Sequence, residues 1–228
     1  MASTRPYTSR LREQQAAQVR REILAAARSL FARSGYVTTT IAQIAHEAGV
    51  SAQTVYSAFE SKAGLAAALV TYTKEQSGSS ELAGEVAAAA TPRAMLEASV
   101  HLVCVMHERV GDLFRVLQDA ARADPSLEPA AAAARGGHAA AQRRIAARLA
   151  ATGVLIEGLD ADDAADLLTV VTSPDAVERY VVEFGWRYRK IEQTLTAAVV
   201  RAICAPGSAD RPWPTRPAPA RPAVSGSA

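Results

Sequence analysis

The sequence predicts an all-α protein of about nine helices. Alanine and arginine, which favour helices, are frequent, whereas the β-branched runs and two-residue turns of a sheet are nearly absent. Apolar residues instead recur at helical spacing along most of the chain. The cysteines, Cys104 and Cys204, form neither a CxxC pair nor a spaced ligand set, which argues against a disulfide scaffold or a zinc finger.

The chain begins with a segment that we expect to be a flexible basic arm, residues 1–10. An amphipathic helix is predicted over 11–34, because Val19, Ile23 and Phe31 fall on one face of a 3.6-residue period. It opens a first domain that we assign to residues 11–73.

Two short helices inside this domain form a predicted helix-turn-helix over residues 40–59. Thr40 and Gln43 have the spacing of a capping box, which starts the first of them. Gly49 turns the chain, and Ser51 caps a second helix over 52–59. Another helix follows from residue 61 and frays at the Ser/Gly run 77–80.

A second helical domain is predicted over 81–205, followed by a disordered Pro-rich tail over 206–228. The expected helices of this domain are 91–109, 111–124, 128–151 with a break at the glycines 136–137, 160–172, 174–185 and 187–204.

Charge is unevenly distributed along the chain. Residues 1–80 carry four more basic than acidic residues, and residues 81–209 carry four fewer. This pattern indicates that the N-terminal part alone meets a polyanion. No apolar stretch reaches the roughly 18 residues of a membrane span, and no signal peptide is evident, so we expect a cytoplasmic protein with no membrane partner.

The second helix of the helix-turn-helix carries residues that suit DNA reading. Gln53 can bind an adenine with two hydrogen bonds, and Thr54 can touch a thymine methyl group or a phosphate. Capped helix starts supply amide donors to phosphates. The predicted DNA-binding residues are Thr40, Gln43, Ser51, Ala52, Gln53, Thr54, Tyr56, Ser57 and Lys62.

The stretch 21–69 resembles the DNA-binding domain of the tetracycline-repressor (TetR) family. The matching motifs are ILAAARSLFARSGY, then TT-I-xx-IA-xx-AGVS, then TVY-xx-F-xSK-xxL. The family often has His or Tyr where Ala58 stands and Glu where Ala63 stands, and the absence of the aromatic residue removes one phosphate contact. The resemblance implies three small helices, a connecting fourth, and a helical domain for ligand binding and dimerisation.

This resemblance implies a homodimeric transcriptional regulator, a repressor that binds a palindromic operator in double-stranded DNA and is released by a small hydrophobic ligand. One alternative is a DNA-binding regulator controlled by a protein partner or by nothing. Another is an enzyme or carrier with a borrowed helix-turn-helix head, which the lack of catalytic motifs disfavours. No cofactor is expected.

Residues of the second domain are assigned on the same basis. The expected ligand pocket contains His101, Cys104, His107, Phe114, Gln118 and Trp186. A metal site at His101, Cys104 and His107 is the lesser alternative, because one helix cannot enclose a metal. The expected dimer interface is Ile191, Leu195, Ala198, Val199 and Ala202.

The arginines near the N-terminus allow two interpretations. Arg10, Arg12, Arg20 and Arg21 most simply form a solvated helix face. An extension that reaches the minor groove, as homeodomain arms do, is the alternative.

Overall fold

The all-α prediction is confirmed in a computed structural model, which describes residues 5–213, with side chains from residue 10 onward. That part of the chain contains no β-strand. Its helices are α1 (Arg5–Ser34), α2 (Ile41–Glu47), α3 (Ala52–Phe59), α4 (Lys62–Gln76), α5 (Ser79–Ala88), α6 (Pro92–Ala123), a short 3-10 turn (Pro125–Leu127), α7 (Glu128–Ala151), α8 (Ala161–Val171), α9 (Pro174–Val182) and α10 (Tyr188–Ile203).

Side-chain caps start the short N-terminal helices where the sequence predicts them. At α2, the Thr40 hydroxyl accepts from the Gln43 backbone N–H at 3.2 Å, and the Gln43 amide oxygen accepts from the Thr40 N–H at 2.8 Å. The Ser51 hydroxyl accepts from the Thr54 N–H at 3.1 Å and so begins α3. The capping box is therefore confirmed, and α2 and α3 lie within the segment predicted as a helix-turn-helix.

The N-terminal helices enclose one hydrophobic core. Ile23, Ile44 and Leu65, from α1, α2 and α4, are completely buried there. Val55 and Phe59 close it from α3. This core fixes the angle between α2 and α3, because each helix contributes its single apolar face.

A second core lies between α6, α7, α8 and α10. Leu96, Leu149 and Ile191 are completely buried in it, and Leu168 and Val199 are nearly so.

Helix α6 belongs to both cores. Its first half contributes Leu96 and Val100 to the C-terminal core, whereas Leu113 and Leu117 from its second half pack in the N-terminal core. A displacement of α6 in one core therefore also disturbs the packing of the other, since protein interiors are close-packed.

Three helix predictions need correction. The first helix starts at Arg5, so residues 5–10 are helical and do not form a flexible arm. A separate helix, α5, occupies residues 79–88, where the sequence predicts fraying at 77–80 and no further helix before residue 91. Gly111 does not divide α6, because its backbone stays helical and the missing side chain leaves room for the His107 ring.

The predicted break at residues 136–137 is also absent, and α7 is continuous. Both glycines are exposed, and a Cβ added at either position would meet no neighbouring atom within 4 Å. Their flexibility is outweighed by the alanines that surround them, which are the best helix formers.

The predicted disordered tail is wrong for its first residues. Ala209 is buried, and its carbonyl accepts a hydrogen bond from the Arg93 backbone N–H at 2.9 Å. The Trp213 indole donates to the Ala89 carbonyl at 2.7 Å, and the Arg148 guanidinium lies 4.2 Å from the centre of its ring. Residues 206–213 thus pack onto the C-terminal domain, while 214–228, like 1–4, lie outside the described residues.

None of the helices in the described part of the chain combines the length and the apolar character of a membrane span.

Candidate nucleic-acid interface

Helix α3 presents a polar face to solvent. Val55 and Phe59 point into the N-terminal core, and this orientation leaves Gln53, Tyr56 and Ser57 exposed. Tyr56 keeps 48% of its surface accessible although it is a large aromatic residue. An exposed amide, phenol and hydroxyl on one short helix can donate hydrogen bonds to phosphates, and they can donate to or accept from base edges.

The remaining predicted residues of α2 and α3 combine capping with partial exposure. Thr40, Gln43 and Ser51 are exposed, while Ala52 and Thr54 are half-buried. The Thr54 hydroxyl lies 2.8 Å from the Ser51 hydroxyl, so these two side chains hold each other in place. The predicted roles of these residues in DNA contact stay predictions.

Arg20 holds the C-terminal end of α3, which the sequence does not indicate. Its Nη1 donates to the Ala58 carbonyl at 2.7 Å, and its guanidinium lies 4.1 Å from the centre of the Phe59 ring. Because Arg20 and Ala58 are separated by 38 residues in sequence, no local pattern could reveal this contact. Arg20 is a positioning residue for α3.

Lys62 is half-buried at the start of α4. Its Nζ donates to the Val37 carbonyl at 3.2 Å and lies 4.3 Å from the centre of the Tyr36 ring. Burial lowers the pKa of Lys62, and the Asp124 carboxylate acts in the opposite direction. The predicted contact of Lys62 with a DNA phosphate stays a prediction.

An open cleft of about 530 Å³ connects the helix-turn-helix with the turn after α6. It is lined by Thr40, Tyr56 and Lys62 from the N-terminal domain and by Asp124 and Ser126 from the turn. The C-terminal domain therefore reaches residues that are predicted to contact DNA. Its carboxylate at Asp124 would repel a phosphate on that side of the cleft.

Three polar contacts tie the domains together across this region. The Tyr36 hydroxyl donates to Asp124 Oδ2 at 3.1 Å, and Arg28 forms an ion pair with Asp112 at 3.0 Å. Arg28 also donates to the Arg109 carbonyl at 2.7 Å. Hydrogen bonding with the Ser126 side chain and backbone and with Tyr36 lowers the pKa of Asp124, so this carboxylate is ionised at neutral pH.

The residues predicted to line a ligand pocket occupy different environments. His101 is exposed, with its Nδ1 2.8 Å from Glu192, whereas Cys104 is buried in the C-terminal core. Burial raises the pKa of the Cys104 thiol to about 12, so it remains protonated. Phe114 and Gln118 are half-buried on α6. The exposed position of His101 and its contact with Glu192 do not fit the predicted place of this residue in a pocket.

His107 joins α6 to α9 and α10. Its Nε2 lies 2.6 Å from Glu178 and its Nδ1 lies 3.0 Å from the Tyr188 hydroxyl. Trp186, also assigned to the pocket, stacks on Tyr180 at a centroid distance of 4.8 Å. Through these contacts, His107 and Trp186 stabilise the packing of α9 and α10. No group of three possible metal ligands occurs among the described residues.

A polar pair that the sequence does not indicate lies inside the C-terminal core. Gln142 on α7 and Ser99 on α6 are 2% and 3% exposed, and the Gln142 Nε2 is 3.5 Å from the Ser99 hydroxyl. The Gln142 Oε1 is buried without a hydrogen-bond partner in the described part of the chain. An unsatisfied buried acceptor costs about 1–3 kcal/mol, which marks this position as unusual for a purely structural core.

The predicted dimer interface is wrong for three of its five residues. Ile191, Leu195 and Val199 are at most 3% exposed because they pack into the core of their own subunit. The apolar stripe of α10 faces α6, which leaves only Ala198 and Ala202 of the predicted set exposed.

Large exposed apolar residues instead concentrate in α8 and at the end of α9. Of seven such residues in the described part of the chain, four fall there. They are Leu167, Val170, Val182 and Phe184, and we call them the α8–α9 apolar set.

Solved structures share this fold. A proposed TetR-family transcriptional regulator from Mesorhizobium loti is 24% identical, with a TM-score of 0.64, and the match covers 83% of this chain and 98% of that one. NalD from Pseudomonas aeruginosa, the secondary repressor of the MexAB-OprM multidrug efflux pump, is 17% identical, with a TM-score of 0.65 and coverage of 85% and 99%. The regulator FadR from Bacillus subtilis, in complex with stearoyl-CoA, is 20% identical, with a TM-score of 0.65 and coverage of 80% and 98%.

The capped α2–α3 pair with its polar outer face defines the class, a helix-turn-helix DNA-binding protein. Residues 23–69 match the model of the bacterial regulatory proteins of the tetR family. No match was found among curated protein sequences. Residues 23–69 within α1–α4 therefore resemble the DNA-binding domain of the tetR family, and the described chain has the fold of solved TetR-family regulators. The protein is thus a DNA-binding transcriptional regulator.

Proposed function

We propose that this regulator is a homodimeric repressor that inserts α3 of each subunit into the major groove of a palindromic operator. The exposed polar face of α3, held by Arg20 at one end and Ser51 at the other, carries this proposal. Small side chains at Ala52 and Ser57 permit close approach of the helix, and Gln53 supplies the base-reading amide.

Dimerisation is needed because one recognition helix reads only a few base pairs. The α8–α9 apolar set supports a second copy as the occupant of this surface, since four large apolar side chains in 18 residues are costly to leave in water. In this proposal Ala198 and Ala202 on α10 extend the same interface, because their small side chains allow helices of the two subunits to approach closely.

Repression is relieved, in this proposal, by a small hydrophobic ligand in the C-terminal core. The buried Gln142–Ser99 pair supports a binding position there, because a ligand N–H or O–H would satisfy the Gln142 carbonyl. FadR, which shares the fold, was solved with stearoyl-CoA. We therefore expect a mostly apolar ligand with one hydrogen-bond donor.

Helix α6 provides the route from ligand to DNA. It carries the buried Ser99, which contacts Gln142, and its end meets Tyr36 through Asp124. A ligand that favours a shifted α6 would move α1 and, through the shared core, α3. A hundredfold loss of operator affinity requires about 2.7 kcal/mol of coupling between the two sites.

The test is a panel of substituted phenols and primary amides, screened first for thermal stabilisation and then for release of bound operator DNA. The Gln142→Leu variant should fold, gain stability and lose the response. Gln193→Leu, at an exposed glutamine of α10, is the matched control and should respond like the wild type. Operator binding that no compound of the panel alters would contradict the ligand-released repressor while leaving DNA binding intact.

A further inference from the structure

The N-terminal part of α1 projects beyond the tetR-type domain. The helix starts at Arg5, whereas the family match starts at residue 23. We call residues 5–18 the α1 extension, and at a rise of about 1.5 Å per residue it is roughly 21 Å long. Residues 10–18 are exposed without exception. Since nine residues make two and a half turns, every face of the helix is in solvent there.

Burial within the described subunit does not account for this helix. A polar helix of this length is marginal in water by itself, because its nucleation cost is not offset by packing. Its sequence contains Arg5, Arg10 and Arg12 against Glu13. The charge excess is positive, so an anionic partner fits the extension.

The extension is continuous with the DNA-reading surface. Arg20, two residues after it, donates to the Ala58 carbonyl at 2.7 Å and stacks on Phe59 at the end of α3. Along the helix axis, Arg12 and Arg10 then lie roughly 12 and 15 Å from this contact point. Duplex DNA bound to α3 would extend over a comparable distance, with one phosphate charge per about 1.7 Å of its axis.

We propose that the α1 extension is a second DNA contact, in which Arg10 and Arg12 bind phosphates that flank each half-site. The inference rests on the proposed operator binding by α3. Two guanidinium groups on an exposed helix suit sequence-independent phosphate contact, because that contact requires only charge and hydrogen-bond donors. The extension would lengthen the protected DNA beyond the half-sites and raise affinity for operator and random DNA alike.

The test compares the full-length wild type with Arg10→Gln/Arg12→Gln on duplexes that carry at least one helical turn beyond each half-site. The slope of log affinity against log salt should become smaller by about 0.9 for each phosphate that the variant no longer binds. Because each of the two subunits loses one or two such contacts, the slope for the dimer should be smaller by about two to four. Hydroxyl-radical protection should shorten at both ends of the operator. Wild type on duplexes trimmed to the half-sites should show the same smaller slope.

Two control variants separate the phosphate contact from net charge and from folding. Arg143→Gln/Arg144→Gln removes the same charge from two exposed arginines of α7 and should leave slope and protected length unchanged. Arg10→Lys/Arg12→Lys keeps the charge and should retain most of the affinity. An unchanged slope and footprint in Arg10→Gln/Arg12→Gln, or no effect of trimming on wild type, would overturn the inference. Failure of the wild type to bind any operator would instead overturn the proposed function.

Discussion

At the scale of single residues, Gln53 is the side chain expected to read sequence. It is exposed on α3 and carries a long amide that can pair with adenine through two hydrogen bonds. Gln53→Ala should cost about 1–3 kcal/mol on the operator and relax the preference at one position in each half-site. Affinities for the operator and for its single-base variants measure this. Gln193→Ala, at an exposed glutamine of α10, should change neither, and an equal loss on operator and random DNA for Gln53→Ala would contradict the reading role.

Tyr36 is expected to link the domains through its hydroxyl. Tyr36→Phe removes only the 3.1 Å hydrogen bond to Asp124 and keeps the packing of the ring against Phe31. The free energy of unfolding should fall by about 1 kcal/mol, because the variant cannot form this partly buried hydrogen bond. Thermal or urea denaturation measures it. The Tyr72 hydroxyl has no hydrogen-bond partner among the described residues, so Tyr72→Phe should leave stability unchanged.

Local spacing is sufficient to predict some of these residues and insufficient for others. Thr40, Gln43 and Ser51 are recognisable because a cap and its target lie within three residues. The contacts of Arg20 with Ala58 and of Tyr36 with Asp124 join residues 38 and 88 positions apart. Only the folded chain brings such partners together.

At the scale of helices, substitution by alanine should have opposite effects on stability at two glycines that lie in different environments. Gly136 is exposed inside α7, and a Cβ there would meet no atom within 4 Å, so Gly136→Ala should stabilise the protein by about 0.5–1 kcal/mol. Gly64 lies in the first turn of α4, where a Cβ would overlap the Phe59 carbonyl oxygen. Gly64→Ala should therefore destabilise the N-terminal domain, and paired denaturation curves show both signs. Stabilisation by Gly64→Ala would contradict the close approach of α3 and α4.

The spacing of apolar residues predicts that most helices exist. It does not predict whether a helix is continuous or which surface packs against its apolar face. The sequence pattern of α10 correctly identifies one apolar stripe, yet Ile191 and Leu195 pack against α6 of the same chain. An amphipathic pattern indicates burial and does not specify which surface covers the face. The prediction of a break at Gly111 is wrong for a related reason, because the role of this glycine depends on the distant contacts of His107 with Tyr188 and Glu178.

At the scale of the whole molecule, assembly should depend on the α8–α9 apolar set. Val170 and Phe184 are 70% and 57% exposed, so Val170→Glu/Phe184→Glu should leave the fold intact and give monomers with weakened operator binding. Leu195→Glu should instead unfold the chain, because Leu195 is 3% exposed in its own subunit. Sedimentation and circular dichroism distinguish these outcomes. Val37→Glu, at an apolar residue that is 68% exposed in the N-terminal domain, should remain dimeric. A dimeric Val170→Glu/Phe184→Glu protein would contradict this interface.

The most direct test of operator reading is selection of bound duplexes from a random DNA library by the full-length protein. Two copies of α3 spaced by one turn of DNA predict an inverted repeat whose half-site centres lie about 34–36 Å apart. The Gln53→Ala protein should select the same repeat with one position relaxed in each half. A single unrepeated site, or no enriched sequence, would contradict a dimer that reads an operator through α3.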